Sequence, residues 1–270
     1  MLKALVTLIV VVLTVVTFIV VFQTYHVEQE APVVIDLNRL KLPPLDSSSQ
    51  PVPDFSVYQN VVDKKKAFFA YLLPEVQRQN TIVSIEREML QAMTSLYRQE
   101  ISFTSKQLDV YKHLATKYTV DFSQPTKAAF DELMLKVDLV PEDLVLVQAA
   151  IESGWGASRF AKQGYNFFGL WCFKTGCGFV PKQRTDGAEH EVAKFKGLSH
   201  AVMTYLRNIN RLYAYHDLRE IRAKTKAQGM TVSATKLTAG LMSYSERGQD
   251  YIDELLNMLR VNRKYMGLNK

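Results

Sequence analysis

The sequence lacks the features that mark several common classes of protein. No run of lysines and arginines is interleaved with aromatic residues, and Lys64-Lys65-Lys66 is the only basic triplet, so no nucleic-acid partner is indicated. No internal repeat and no alternation of strands with helices occurs, which argues against a solenoid and a parallel βαβ sheet. The net charge of +6 and the 47% of hydrophobic residues among 270 fit one or two domains with a substantial core.

Cysteine is scarce as well. Cys172 and Cys177 are the only two, and both lie in the segment WCFKTGCGF. In an oxidising compartment this spacing favours a disulfide across a short turn, with two free thiols and a metal site as alternatives. A zinc site needs more nearby ligands than His190 offers, and no general base marks either residue as a catalytic thiol.

Charge is absent from residues 4–22, an apolar run of 19 positions that is long enough to cross a bilayer as a helix. No Ala-x-Ala cleavage pattern follows it. Lys3 precedes the run, and Glu28 and Glu30 follow it, so the positive-inside rule orients the rest of the chain away from the cytoplasm. Residues 1–27 are therefore predicted to form an uncleaved, single-pass membrane anchor.

Three further regions follow the anchor. Five prolines and a serine triplet make residues 28–56 a predicted tether. Helical periodicity begins near residue 57, with one run before Pro74, a second at about 82–99 and a third at 105–116. Residues 57–125 are therefore predicted to be helical, without an assigned role. Residues 126–262 form a second helical region that is interrupted by a small β-hairpin within 166–196. The predicted fold class is mostly α with a small β-hairpin.

The clearest chemical feature is the segment QAAIESGWG, in which Glu152 comes at the end of an apolar helical run. The helix is predicted to begin at Pro141 and to end at Gly154. Glu152 shares one helix face with Leu144 and Gln148. Burial against that face and the negative end of the helix dipole both raise the pKa of a carboxyl group. Glu152 is therefore predicted to be a general acid.

Two motifs carry a family resemblance. The pattern A-A-x-E-S-x-W-G-x-S followed by N-x-F-G-[IL] resembles glycoside hydrolase family 73, and the segments GCGFVPKQR, HEVAKF and YSERGQDYIDEL resemble its bacterial Bax branch. The resemblance covers about residues 130–262. It implies a lysozyme-like α+β fold, cleavage of peptidoglycan glycan strands by a β-N-acetylglucosaminidase, and no metal or organic cofactor. It also implies the bacterial inner membrane, with the enzyme on the periplasmic side.

The resemblance also implies the residues of the site. Glu152 takes the general acid position, and Tyr244 matches a tyrosine near the active site. Tyr251, seven residues later, is interpreted as a core residue. Residues expected to line the sugar cleft are Ser153, Trp155, Asn166, Phe168 and Gly169.

A second catalytic carboxylate is missing where relatives have one, because the stretch FVPKQR contains no acid. Glu191 is the expected substitute, with Glu189 and Asp186 as further alternatives. Three functions stay open: a hydrolase, a lytic transglycosylase that needs only one carboxylate, and a non-catalytic peptidoglycan-binding protein. A loose basic set is interpreted either as solvated or as a contact for peptidoglycan carboxylates: Arg207, Arg211, Arg219 and Arg222.

Overall fold

The computed structural model describes residues 51–121, 123–181 and 190–268. The predicted anchor and most of the predicted tether lie outside these residues. Within the described ranges, no helix combines the length and the apolar character needed to span a membrane.

The described residues form helices and one very small sheet, which confirms the prediction of a mostly helical fold with a small β element. The sheet has three antiparallel strands, with the last strand between the first two, in place of the predicted two-stranded hairpin. The helices are α1 Val61–Arg98, α2 Ser105–Tyr118, α3 Lys127–Lys136, α4 Glu142–Ser153, α5 Arg159–Gly164, α6 Leu198–Arg211, α7 His216–Ala227, α8 Ala234–Leu237 and α9 Gln249–Asn262. The strands are β1 Trp171–Cys172, β2 Gly178–Phe179 and β3 Glu191–Ala193. Short 3-10 turns are Phe55–Val57, Tyr213–Tyr215, Thr238–Leu241 and Arg263–Tyr265.

Helix α1 differs from the sequence pattern, which predicts one helix before Pro74 and a second one after it. The structure has a single helix of 38 residues that contains Pro74. Proline removes one helical hydrogen bond, here the bond to the carbonyl of Ala70. Both residues lie on the exposed face, where water can solvate that carbonyl. The buried face continues unbroken past Pro74, so packing keeps the helix intact.

Helix α4 lies at the centre of the core. Its residues from Asp143 to Ala150 are all buried, as expected of a helix that is apolar nearly all round. Phe68, Leu72 and Val76 of α1 belong to the same hydrophobic core as α4. The region 57–125 therefore contributes directly to the core that surrounds the predicted acid.

Two of the four arginines in the basic set are buried. Arg222 is 1% exposed and donates to five acceptors, among them the carbonyl of Asp138 and the side chain of Asn210. Arg219 donates to the carbonyls of Ile209 and Leu212. The interpretation of these two arginines as substrate contacts is wrong, since their guanidinium groups are used inside the protein to bind helix ends and loops.

Candidate active site

Glu152 lies in the last turn of α4, where the chain leaves the core. Gly154 ends the helix in the left-handed conformation, with φ +57°, and its N–H bonds back to the helix, a common glycine cap. Ser153 is fully buried; its hydroxyl donates to Ala149 O at 2.6 Å and accepts from Gly156 N at 2.8 Å. These bonds fix the turn that places the Glu152 carboxyl.

A chain of buried hydrogen bonds leads to this carboxyl. Tyr251 Oη donates to Glu152 Oε1 at 3.2 Å and accepts from Gln148 Nε2 at 3.1 Å. Tyr205 Oη in turn donates to Gln148 Oε1 at 2.5 Å. Gln148 lies one turn before Glu152 on the same helix face, so α4 positions both the acid and the residue that orients its tyrosine partner.

The environment raises the pKa of the Glu152 carboxyl above its ordinary value. Burial is the main cause, because it disfavours the charged form. The Tyr251 hydrogen bond opposes this, the charge of Glu254 adds to it, and Tyr244 and Arg247 lower the pKa. A carboxyl with a raised pKa keeps its proton closer to neutral pH, as a general acid requires.

Tyr244 belongs to the same cluster. Its ring lies 5.3 Å from that of Tyr251 and 5.7 Å from that of Tyr215. Its hydroxyl lies 3.5 Å from Phe168 O. Burial raises the pKa of all three tyrosines, and the charge of Glu152 raises it further. They therefore remain neutral, and their hydroxyls can donate to a carboxylate or to a sugar.

The loop from Asn166 to Leu170 approaches the Glu152 carboxyl at Gly169. Asn166 donates to Leu170 O at 2.8 Å and to Ala193 O at 2.9 Å, and accepts from Leu170 N at 3.0 Å. These three bonds tie the loop to itself and to β3. Gly169 is exposed with φ +63°, and a Cβ built on it would lie 3.2 Å from Glu152 Oε2. Because glycine has no side chain, the space beside Glu152 Oε2 stays free at this position.

Three of the residues that were predicted to line the cleft have buried side chains. Ser153, Asn166 and Phe168 are at most 1% exposed, and the Phe168 ring stacks on Tyr205 at 4.0 Å. Their burial supports a role in shaping the cleft; direct sugar contact by them stays a prediction. Gly169 and Tyr244 are the predicted residues that the structure brings next to Glu152.

Trp155 packs against α1. Its ring lies 5.5 Å from Phe68 and 5.3 Å from Phe69, in edge contacts, and Lys65 Nζ lies 5.1 Å from it. Trp155 has φ +59°, an uncommon conformation for a non-glycine residue. The indole is half-buried and connects the turn after Glu152 to the core.

Glu191 is buried in β3, the middle strand of the sheet. Its two carboxylate oxygens accept from Gly176 N at 2.9 Å and from Gly178 N at 2.7 Å. Cys172 and Cys177 form a disulfide across the same turn, so these sulfurs offer no thiolate to a metal. β3 pairs antiparallel with β1 and β2 on its two sides. Glu191 and the disulfide thus fasten the turn between β1 and β2. Glu189 and Asp186 lie outside the described residues.

Several residues of the site were not predicted to act in it. Tyr251 was expected to be a core residue; it is buried and also donates to Glu152. The sequence pattern assigns Gln148 only to the same helix face as Glu152 and assigns no role to Tyr205. Glu254 is paired with Arg247 at 2.7 Å, and both act on the pKa of Glu152. The position of Gln148 one turn before the acid was the available signal for this network.

The combination of a partly buried carboxyl with a raised pKa, neutral tyrosine donors and a glycine beside the carboxyl suits general acid chemistry. Residues 127–264 match the family described as "Glucosaminidase: Mannosyl-glycoprotein endo-beta-N-acetylglucosaminidase". The chain is 30% identical over 219 residues to Protein bax of Escherichia coli (strain K12), a match covering 81% of this chain and 77% of that protein. No solved structure gives a significant match.

The chain therefore belongs to the glucosaminidase family, and the resemblance read from its motifs is confirmed. The domain is of the glycoside hydrolase type, and peptidoglycan is the substrate class that it indicates.

Proposed function

We propose that the protein hydrolyses β-1,4 bonds after N-acetylglucosamine in peptidoglycan, with Glu152 as the general acid. The observation that carries the proposal is the raised pKa of a carboxyl at the open end of a buried helix. Glu152 donates its proton to the leaving glycosidic oxygen, and water completes the reaction directly or through an intermediate. Tyr251 and Tyr244 position the carboxyl and stabilise the carboxylate that remains after proton transfer.

We assign Glu191 to positioning in this proposal, although its residue type suits a second carboxylate. Two backbone N–H groups already occupy its oxygens, and these bonds hold the carboxyl in the turn between β1 and β2. Glu254, which also acts on Glu152, is bound to Arg247. Among the described residues, Glu152 is therefore the carboxyl best suited to exchange a proton with substrate. A substrate N-acetyl group can serve as the nucleophile where an enzyme has one firm acid.

The presence of one suitable carboxyl among the described residues also favours a second candidate, a lytic transglycosylase. In that reaction the acid also acts as the base, and an internal muramoyl hydroxyl replaces water. The two outcomes differ in their products, since only the second one leaves 1,6-anhydromuramic ends.

The location is part of the proposal. An apolar run at residues 4–22 and a Pro/Ser-rich tether would attach the enzyme to the inner membrane and place its cleft on the periplasmic side, where peptidoglycan lies. Fractionation of bacteria that express the full chain tests this point: recovery in the soluble fraction would contradict the anchor.

Digestion of purified sacculi with mass analysis of the products tests the reaction. Wild type is expected to release fragments with N-acetylglucosamine at the reducing end, and Glu152→Gln is expected to release none. Glu220→Gln is the matched control, because Glu220 is exposed on α7 and outside the described site. Equal release by Glu152→Gln would contradict the assignment of the acid. Anhydro ends would support the transglycosylase, and binding without products would support a non-catalytic protein.

A further inference from the structure

The segment from β1 to β2, which the disulfide closes and which is called the hairpin below, carries an exposed tryptophan on its outer face. Trp171 in β1 is 49% exposed and Phe173 is 82% exposed. Leu170 and Cys172, the alternating positions, face the core. This is the side-chain alternation of an extended strand. Trp171 and Phe173 therefore project from the same, outward side of the hairpin.

Trp171 follows closely after Gly169, the residue of the loop that approaches Glu152. Gly169 is the residue whose added Cβ would meet Glu152 Oε2, and Trp171 follows two residues later. Two residues of extended chain span about 7 Å, so the start of β1 lies within about this distance of Gly169. The indole is therefore a neighbour of the cleft and not part of a distant patch.

The hairpin fixes Trp171 in place. The residue pairs with Val192 of β3, and the next residue is bonded to Cys177. Its ring makes a near-perpendicular contact with His190, with 4.8 Å between ring centroids. A rigid, exposed indole loses little conformational entropy when a ligand covers it. An indole also combines a flat apolar surface with an N–H donor, which suits an amphipathic ligand.

We propose that Trp171 stacks on a sugar ring of the glycan strand and forms a binding subsite adjacent to the bond that is cleaved. The proposal rests on the proposed function, since it takes peptidoglycan glycan as the ligand. It differs from the motif-based expectation, in which Trp155 is the tryptophan of the cleft, because the Trp155 ring is packed against α1.

Fluorescence titration tests the contact without turnover. The chain contains two tryptophans, so the Glu152→Gln protein can be titrated with a tetrasaccharide of alternating N-acetylglucosamine and N-acetylmuramic acid. The emission is expected to change on binding, and the change is expected to disappear in Glu152→Gln with Trp171→Phe. An emission change in that double variant as large as the one in Glu152→Gln alone would overturn the proposal.

Steady-state kinetics give an independent readout. Trp171→Ala is expected to raise KM about tenfold, the size of a well-formed aromatic contact, with little change in kcat. Phe173→Ala is the matched control: it removes an exposed ring of the same hairpin and is expected to change KM less than about twofold. Wild-type KM in Trp171→Ala would refute the subsite alone. If wild type binds the tetrasaccharide through Trp171 but cleaves nothing, the proposed hydrolysis fails and the subsite stands.

Discussion

The interaction between Tyr251 and Glu152 allows a prediction with a defined sign. Tyr251→Phe removes one hydroxyl and keeps a ring that is 2% exposed. The lost hydrogen bond, 3.2 Å long, favours the charged carboxylate, so its loss raises the pKa of Glu152 further. A hydrogen bond to a charged group contributes about 1.5–3 kcal/mol, and one pKa unit corresponds to about 1.4 kcal/mol. Because the bond is long, we expect the low end of this range, a loss of about 1.5 kcal/mol in the stabilisation of the carboxylate.

The assay is kcat/KM for product release measured across the pH range. Its alkaline limb reports the pKa of the group that must be protonated, so Tyr251→Phe is expected to move this limb to higher pH. Glu254→Gln is the opposing control. Removing the charge of Glu254 removes a repulsion that raises the pKa of Glu152, so the limb is expected to move to lower pH. General damage to the fold cannot produce opposite movements in the two variants. An unmoved or lowered limb in Tyr251→Phe refutes the role of this bond.

Three further predictions use the same site. Glu152→Gln is expected to raise Tm near neutral pH: as pH rises past the ordinary carboxyl pKa of 4.5, the unfolded chain loses its proton first and the wild-type fold is destabilised. Melting curves of the two proteins should therefore converge below that pH, and a constant offset would contradict the raised pKa. Gly169→Ala is expected to cost about 1–2 kcal/mol of stability and to lower kcat, since its Cβ would lie 3.2 Å from Glu152 Oε2. Gly229→Ala introduces the same strain at φ +67° with nothing within 4 Å, and it should lose stability but keep kcat. Replacing Cys172 and Cys177 together with serine is expected to lower stability by about 2 kcal/mol and to raise KM through the loosened hairpin, while an unchanged Tm would contradict a formed disulfide.

Local signals predict most of the helices. Apolar periodicity predicts α2, α3, α4, α6, α7 and α9 to within a few residues, because each one buries a continuous stripe, whereas the short helix α5 is not predicted. Pro74 shows where the local signal fails. A proline normally ends a helix, but buried residues continue on both sides of Pro74. The first half shares a core with α4, and the second half contacts α3, as in the ring contact between Tyr97 and Phe130. That tertiary packing is invisible in the local sequence around Pro74.

The sequence predicts only those residues of the site that stand in local motifs, because contacts between distant segments are not visible in it. Glu152 and Gly169 stand in short motifs, and both meet in the structure. The role of Tyr251 depends on α9 packing against α4, and that of Glu191 on the turn that β3 approaches. Neither contact is local, since Tyr251 lies 99 residues from Glu152. Residue type therefore suggests a catalytic Glu191 and a core Tyr251. In the structure Glu191 accepts hydrogen bonds from the backbone of the turn, and Tyr251 donates one to Glu152.

Helix α1 is part of the catalytic unit and not an appended region. Its Phe68 and Phe69 contact Trp155, three residues after Glu152, and α1 therefore supports the turn that places the acid. The relative from Escherichia coli matches over 219 residues, more than residues 127–270 can supply, so the similarity extends into α1 and α2. A fragment that begins at residue 126 would expose the apolar face of α4 and of Trp155 to water. It is expected to be insoluble or inactive, whereas a fragment beginning at residue 51 keeps these contacts and should retain the wild-type rate. A soluble, fully active fragment from residue 126 would show that the core around Glu152 is complete without α1.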